Sequence, residues 1–380
     1  MRTSAIFAVL AACVLVEVAG AQQPPAAPAA QTPAVRSPEV HPDRRVTFRI
    51  AAPNAREVTV SGEFEVGAPA HTMVKDEVGV WSVTIGPFEP ESYEYDFKVD
   101  GLQMLDPRNP SVKYNRGPAA ISSFLDIPAA APRFFDVQPV PHGKVEIRYY
   151  DSKTTKLARR IHVYTPPNYE KMTTRLPVVY LLHGADGEDS VWTAFGRAHV
   201  ILDNLLAAKK IQPMIVVMPN GYGYGWDSGV SADKQQADFQ KDLLEDLIPY
   251  VQAQYRASTD RRQRALIGLS RGGGQTLTIG LRNLATFSRL GVFSAGNNNP
   301  QENFKDVAAA KVNGQLDLLW MGVGTDDFAL AGARRMHDFL TGSGITHTFK
   351  TTAGEHTWIV WRQYLNELAP LLWDTKRQTN

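Results

Sequence analysis

The sequence predicts two domains of different class, a small antiparallel β-sandwich followed by an α/β domain on a mostly parallel sheet. Three observations carry that prediction. From Arg45 to Ile127 the chain holds short runs in which apolar and polar residues alternate, the period of half-buried strands. Beyond residue 142 the β-rich runs become almost continuously apolar, as strands covered on both faces must be. Helical spacing fills the segments between those later runs, and strand alternating with helix is the pattern of an α/β layer structure. A chain of 380 residues, 43% hydrophobic and 21% charged, is long enough for two such cores. The formal charge of +1 supplies no net attraction to nucleic acid or anionic lipid, so neither is expected as a partner.

The first 21 residues read as an export signal. Arg2 supplies the positive start, Ala5 to Val18 an apolar stretch, and Ala19-Gly20-Ala21 small residues for cleavage. That stretch is short and interrupted by Glu17, so no stable membrane span is expected. The expected location is secreted or periplasmic; Leu10-Ala11-Ala12-Cys13 offers lipid attachment at Cys13 as the alternative. Cys13 is the only cysteine, so cleavage leaves no thiol for disulfides, thiolate chemistry or metal ligation. Residues 22–38, rich in Pro, Ala and Gln, read as a disordered linker.

Residues 39–127 form the expected sandwich. "RVTFRIAAP", "EVTVSGEF", "VWSVTIGPF" and "YEYDFKVDG" are its strands, and Asp100-Gly101 marks a hairpin between Val99 and Leu102. Aromatic residues at alternate positions are assigned to the interior rather than to a sugar platform. Phe48, Ala52-Pro53-Asn54-Ala55, Gly79-Val80-Trp81, Tyr93-Glu94-Tyr95, Phe97-Lys98-Val99-Asp100-Gly101 and Asp106-Pro107 form a set with a known likeness. It resembles the early-set, immunoglobulin-like carbohydrate-binding module family 48, which implies a module placed ahead of a glycan-active enzyme.

The proline-rich residues 128–141 read as a second linker, and residues 142–377 as the α/β domain. "KVEIRYY" and "ARRIHVYTP" pair as an antiparallel lead. "LPVVYLLHG", "PMIVVMPNG", "RALIGLS", "RLGVFSAG" and "LDLLWMGVG" follow as buried strands, and "FQKDLLEDLIPYVQAQY" (irregular at Pro249), "GGQTLTIGLRN", "ALAGARRMHDFLTGSG" and "WIVWRQYLNELAPLLW" are the helical patterns among them. This order is the α/β-hydrolase arrangement. The basic run Arg261-Arg262-Gln263-Arg264 is expected to be a solvated turn.

Gly268-Leu269-Ser270-Arg271-Gly272 lies where the strand "ALIGL" meets a helix, the setting of a nucleophile elbow. The turn is so sharp that side chains at Gly268 and Gly272 would collide with backbone. A serine hydroxyl needs a base, and in this fold the chain order is serine, acid, histidine. His337 sits in a helical pattern and His347 in a strand pattern, whereas His356 falls in the loop between the last strand and the last helix. His356 is therefore the expected base. Asp326 and Asp327 both stand at the end of "LDLLWMGVG"; Asp327 is taken as the acid and Asp326 as its alternative. The backbone amides of Ala185 and Arg271 are the expected oxyanion donors. Trp226, Trp358 and Trp361 are candidates to line an acyl pocket, set against burial in the core. No H-E-x-x-H occurs, and Asp186, Glu188 and Asp189 lack the spacing of a calcium loop, so no metal or other cofactor is expected.

Val163-Tyr164-Thr165-Pro166-Pro167, Tyr180-Leu181-Leu182-His183-Gly184, Met218-Pro219-Asn220-Gly221, Asp246-Leu247-Ile248-Pro249, Gly268-Leu269-Ser270 and His356-Thr357-Trp358 occur in that order. Together they resemble the esterase-D-like α/β-hydrolases of carbohydrate esterase family 1, the feruloyl and acetyl-xylan esterases. The resemblance implies Ser270 as nucleophile, Asp327 as acid, His356 as base and Ala185 and Arg271 as oxyanion donors. It implies an ester-substituted polysaccharide, oligosaccharide or small aryl ester as substrate. Arg271 departs from the methionine usual after the serine, which opens the site to an anionic group unless the side chain points away. Two alternatives stand beside this reading: an enterochelin-type siderophore trilactone esterase, and a glycan-binding protein on an inactive hydrolase scaffold.

Overall fold

The computed structural model of the protein describes residues 35–65, 67–113, 121–185, 187–225 and 228–373. The export signal, most of the first linker and Trp226 lie outside them. The first domain contains β1 (Glu39–Val40), β2 (Val46–Ala51), β3 (Val58–Gly62), β4 (His71–Thr72), β5 (Val74–Lys75) and β6 (Val80–Ile85). It continues with β7 (Ser92–Val99), β8 (Leu102–Met104), β9 (Val112–Lys113) and β10 (Ser122–Asp126). One sheet has the order β1-β2-β6-β5 and the other β4-β3-β7-β10-β9, with β8 added to β7. The alternating pattern of these strands sends Phe48, Tyr95 and Phe97 into the space between the sheets, where all three are buried. The Phe48 and Tyr95 rings meet at 4.9 Å, and Tyr95 Oη–H donates to the buried carboxylate of Asp106. These aromatics belong to the core, not to a sugar-binding face.

The second domain opens with the antiparallel pair β11 (Lys144–Asp151) and β12 (Ala158–Thr165), then β13 (Val178–Leu182). Helices α1 (Val191–Ala194) and α2 (Ala198–Ala207) lead to β14 (Ile215–Pro219), and α3 (Ala232–Lys241) and α4 (Ile248–Gln254) to β15 (Arg264–Leu269). After α5 (Arg271–Gly280) come β16 (Arg289–Phe293), the short α6 (Pro300–Asn303) and α7 (Ala309–Asn313), and β17 (Leu318–Gly324). The chain closes with α8 (Leu330–Gly342), β18 (Thr348–Thr352) and α9 (Trp358–Leu368). The sheet order is β11-β12-β14-β13-β15-β16-β17-β18, parallel from β14 onward. Strands β13 through β17 are buried along their whole length, which is why their sequences carry no polar alternation. The fold is the α/β-hydrolase arrangement.

Three local readings change. The helical pattern around Pro249 is two helices joined by a π-helical turn, Asp242–Leu247. Proline has no N–H for the carbonyl one turn back, and the widened turn absorbs that lost bond. The basic run is not simply solvated: Arg264 is buried at the start of β15 and donates to the Thr286 carbonyl, while Arg261 donates to those of Leu284 and Gln315. Carbonyls at the closed end of the sheet need donors, and these arginines supply them. Residues 128–141 are likewise anchored. Phe135 is buried beneath the guanidinium groups of Arg133 and Arg362, and Asn204 of α2 donates to the carbonyls of Phe134 and Asp136.

Both domains belong to one unit that begins at Arg36. Their seam centres on Arg362 of α9, a fully buried cation. Its Nη2 donates to Glu91 at 2.7 Å and to the Ser92 carbonyl, both in the sandwich, and its Nη1 to the Phe195 carbonyl at 3.0 Å. Phe124 of β10 stacks on Phe195 with ring centres 4.7 Å apart. A buried charge is tolerable only when it is paired, and here Glu91 and carbonyls from both domains accept from the two Nη groups while Nε has no partner among the described residues.

Candidate active site

The parallel strands end on one edge of the sheet, and the loops that leave them build the site. At the end of β15 the backbone of Ser270 takes φ 51°, ψ −119°, a conformation a side chain adopts only under strain. The Ser270 amide donates to the Phe293 carbonyl at 2.8 Å, fixing the turn to β16. A Cβ on Gly268 would lie 2.3 Å from the backbone of Gly272, and one on Gly272 2.5 Å from the His183 carbonyl. The turn therefore needs glycine on both sides of the serine.

Ser270 Oγ is 2.9 Å from His356 Nε2, and His356 Nδ1 is 2.9 Å from Asp327 Oδ1. The carboxylate can only accept, so Nδ1 carries the proton and Nε2 is left as acceptor for the serine hydroxyl. Asp327 is buried and takes a further bond from the Ala329 amide at 2.7 Å. Burial pushes its carboxyl pKa up, but the hydrogen bonds from His356 and the Ala329 amide, with the Ser294 hydroxyl nearby, outweigh that and hold it below the usual carboxylate value. Asp326 is exposed and bonded to Thr325, so it is Asp327 that meets the imidazole. His337 and His347 contact each other at 2.7 Å instead.

Two further residues, Ser294 and Trp361, support this chain. Ser294, just after β16, accepts the Trp361 Nε1–H at 2.9 Å, and its hydroxyl helps to hold the Asp327 carboxyl pKa low. Trp361 also presents its ring edge-on to His356, with centres 5.0 Å apart. No motif marks Ser294 in the sequence.

The loop after β13 is held from inside by His183. The Gly221 amide donates to its Nε2 at 2.8 Å, so its Nδ1–H donates to the Gly184 carbonyl at 2.7 Å. Burial drives its pKa down to about 4, and the ring is neutral. The loop so held brings Ala185 into the wall of a cavity of about 290 Å³ that also contains Ser270 and His356. Arg271 opens α5, where first-turn amides have no acceptor within the helix and the dipole favours negative charge. The Arg271 side chain turns onto Tyr222 at 4.1 Å, and its Nε and Nη2 are buried without a hydrogen-bond partner among the described residues. Trp358 borders the cavity while being 3% exposed, packed edge-on against Trp192 and Trp361. Trp226 lies outside the described residues. Beside this cavity Tyr222, Tyr224, Tyr149 and Arg160 line a second, open cleft of about 360 Å³.

Among the described residues no cluster of side chains is suited to hold a metal ion. Asp189 is taken up by Arg160 and His162, and Glu188 by Arg160.

Residues 152–372 match the family described as "Putative esterase", and residues 36–111 match carbohydrate-binding module 48. An endo-1,4-β-xylanase/feruloyl esterase of Xylanibacter ruminicola is 31% identical over 348 residues, 90% of this chain and 46% of that one. The chain spans about half the length of this relative and of an uncharacterised Corynebacterium glutamicum protein that is 25% identical over 240 residues. Among solved structures, a ferulic acid esterase of Anaeromyces mucronatus bound to ferulic acid aligns with TM-score 0.55 and 21% identity, over 63% of this chain and 97% of that one. The enterochelin esterase of Shigella flexneri aligns with TM-score 0.68 and 17% identity, over 87% of this chain and 92% of that one. At such identities the likeness is one of fold.

Proposed function

Because the chain belongs to the esterase family, we propose that it is a serine carboxyl-ester hydrolase that removes feruloyl-type or acetyl groups from plant cell-wall polysaccharide. One observation carries the reading: the hydrogen-bonded series Asp327–His356–Ser270 opens into a cavity walled by Phe328, Trp358 and Trp361. His356 Nε2 takes the Ser270 proton as Oγ attacks the ester carbonyl, and Asp327 stabilises the resulting imidazolium while holding the ring's tautomer. The amides of Ala185 and Arg271 receive the oxyanion. The alcohol leaves with the proton from His356, and a water activated by the same nitrogen frees the acid from the acyl-enzyme.

The aromatic walls favour a feruloyl over an acetyl group, since flat acyl chains gain most from them. The polysaccharide side draws support from the name of the Xylanibacter ruminicola relative, which pairs a xylanase with a feruloyl esterase. Export directed by the first 21 residues belongs to the same proposal and would put the enzyme where such polymers are. A trilactone esterase is the second reading, suggested by a two-domain likeness to the Shigella flexneri enzyme.

The test is a panel of methyl ferulate, an aryl acetate, feruloylated xylan and a catechol trilactone, with wild type and Ser270→Ala. Wild type is expected to prefer the feruloyl esters. The variant should lose at least about 10⁴-fold in kcat, with loss of fluorophosphonate labelling and an unchanged circular dichroism spectrum. Retained turnover in the variant would falsify the assignment, and a preference for the trilactone would replace the substrate class.

A further inference from the structure

We propose that Lys113, carried by the β-sandwich, is a specificity residue of the hydrolase pocket that binds an oxygen on the far end of the acyl group. The inference rests on the aromatic-ester reading and names the side chain that would select among such esters.

Lys113 ends β9, an edge strand of the sandwich paired with Ser122 of β10. It borders the same cavity as Ser270 and His356, although the other described lining residues all come from the second domain. Those neighbours are largely apolar: Val191, Leu269, Phe328 and the faces of two tryptophans. Lys113 is the charged side chain among them. Its ammonium is tied to Glu94 of β7 at 2.5 Å, and the Glu94 amide in turn donates to the Glu63 carboxylate at 3.0 Å. Both members of the Lys113–Glu94 pair are mostly buried, so the lysine is held in place and is not a sweeping surface chain. The seam around Arg362 fixes the sandwich to α9, the helix that starts two residues after His356.

An ammonium offers three donors, and Glu94 uses one. In a cavity with aromatic walls the remaining donors are best met by an acceptor that the acyl group brings. The matching chemistry is an aromatic acyl chain with a hydroxyl, or its anion, on the ring end remote from the ester carbonyl. A charge-assisted hydrogen bond there would reject analogues that lack the oxygen.

The experiment compares kcat/KM on two methyl arylpropenoates that differ only in a para-hydroxyl on the ring, using the full chain. Wild type is expected to favour the hydroxylated ester by about tenfold or more. Lys113→Met should lose that preference, and Lys113→Arg, which keeps a charged donor, should retain most of it. Lys113→Met leaves Glu94 beside Glu63 without its cation, so the double variant Lys113→Met/Glu94→Gln is measured alongside, with the same loss expected. A hydroxyl preference that persists in both methionine variants, or that wild type never shows, overturns the proposal. Turnover of aryl acetates with none of either arylpropenoate is a separate failure: the aromatic-ester reading is lost, and this inference with it.

Discussion

The loops after β13 and β18 each carry a histidine with both ring nitrogens hydrogen-bonded, and the partners differ in kind. His183 lies between two backbone groups, the Gly221 amide and the Gly184 carbonyl. His356 lies between a carboxylate and an alcohol. Backbone partners cannot exchange a proton at neutral pH, so the first ring is a fixed strut under the expected oxyanion loop. An alcohol can, and a carboxylate stabilises the cation that results, so the second ring is suited to proton transfer. Burial completes the contrast: His183 is 2% exposed and kept neutral, whereas the His356 side chain keeps 17% of its surface at the pocket. A histidine's role here is set by what it touches more than by where it sits along the chain.

The comparison can be broken most forcefully at Asp327. Asp327→Asn is expected to cut kcat about 10⁴-fold by admitting the wrong tautomer of His356, while Asp326→Asn stays within about twofold. Equal effects of the two substitutions would dissolve the distinction between them.

A smaller effect is expected at the strut. The folded value for His183, about 4, lies below the 6.5 of an unperturbed histidine. Between those values the unfolded chain binds a proton that the folded ring refuses. Its contribution to stability is thus complete above pH 6.5 and falls with pH, by roughly 3 kcal/mol at pH 4. His183→Gln keeps a donor and an acceptor but does not titrate. Urea unfolding should show the gap between wild type and variant closing by that amount from pH 7 to pH 4; a constant gap would refute the buried neutral ring.

The mildest change sharpens the picture at the acid. Ser294→Ala removes one support of Asp327 and should lower kcat about tenfold with KM unchanged. Loss confined to KM would place Ser294 in substrate binding instead.

Much of this arrangement was legible in the chain itself, and the reason is local. The elbow announces itself through two glycines that steric contact requires, and the position of His356 follows from the order of strands and helices. The choice between Asp326 and Asp327 is harder, because both stand at the same strand end and only burial separates them. Helices α1 and α2 escaped a reading that followed the apolar strands. Lys113 and Ser294 were invisible for a different cause. Each reaches the site through packing between segments distant in sequence, one by the docking of a whole domain, and no short motif records such an encounter. Arg271 is intermediate: its place beside the serine is plain, but its turn toward Tyr222 depends on a ring from another loop.

The segments bearing acid and base are tied to one another. The Thr325 amide donates to the Thr352 carbonyl and the Asp326 amide to that of Gly354, while Gly324 approaches so near that a Cβ would fall 2.1 Å from the Gly354 oxygen. Carboxylate and imidazole thus ride on one plate, and the alcohol rides on another, the turn between β15 and α5. Strand β16 pairs with β15 on one side and with β17 on the other, so both belong to one hydrogen-bonded sheet. The distance from imidazole to alcohol is thereby set by the register of neighbouring strands.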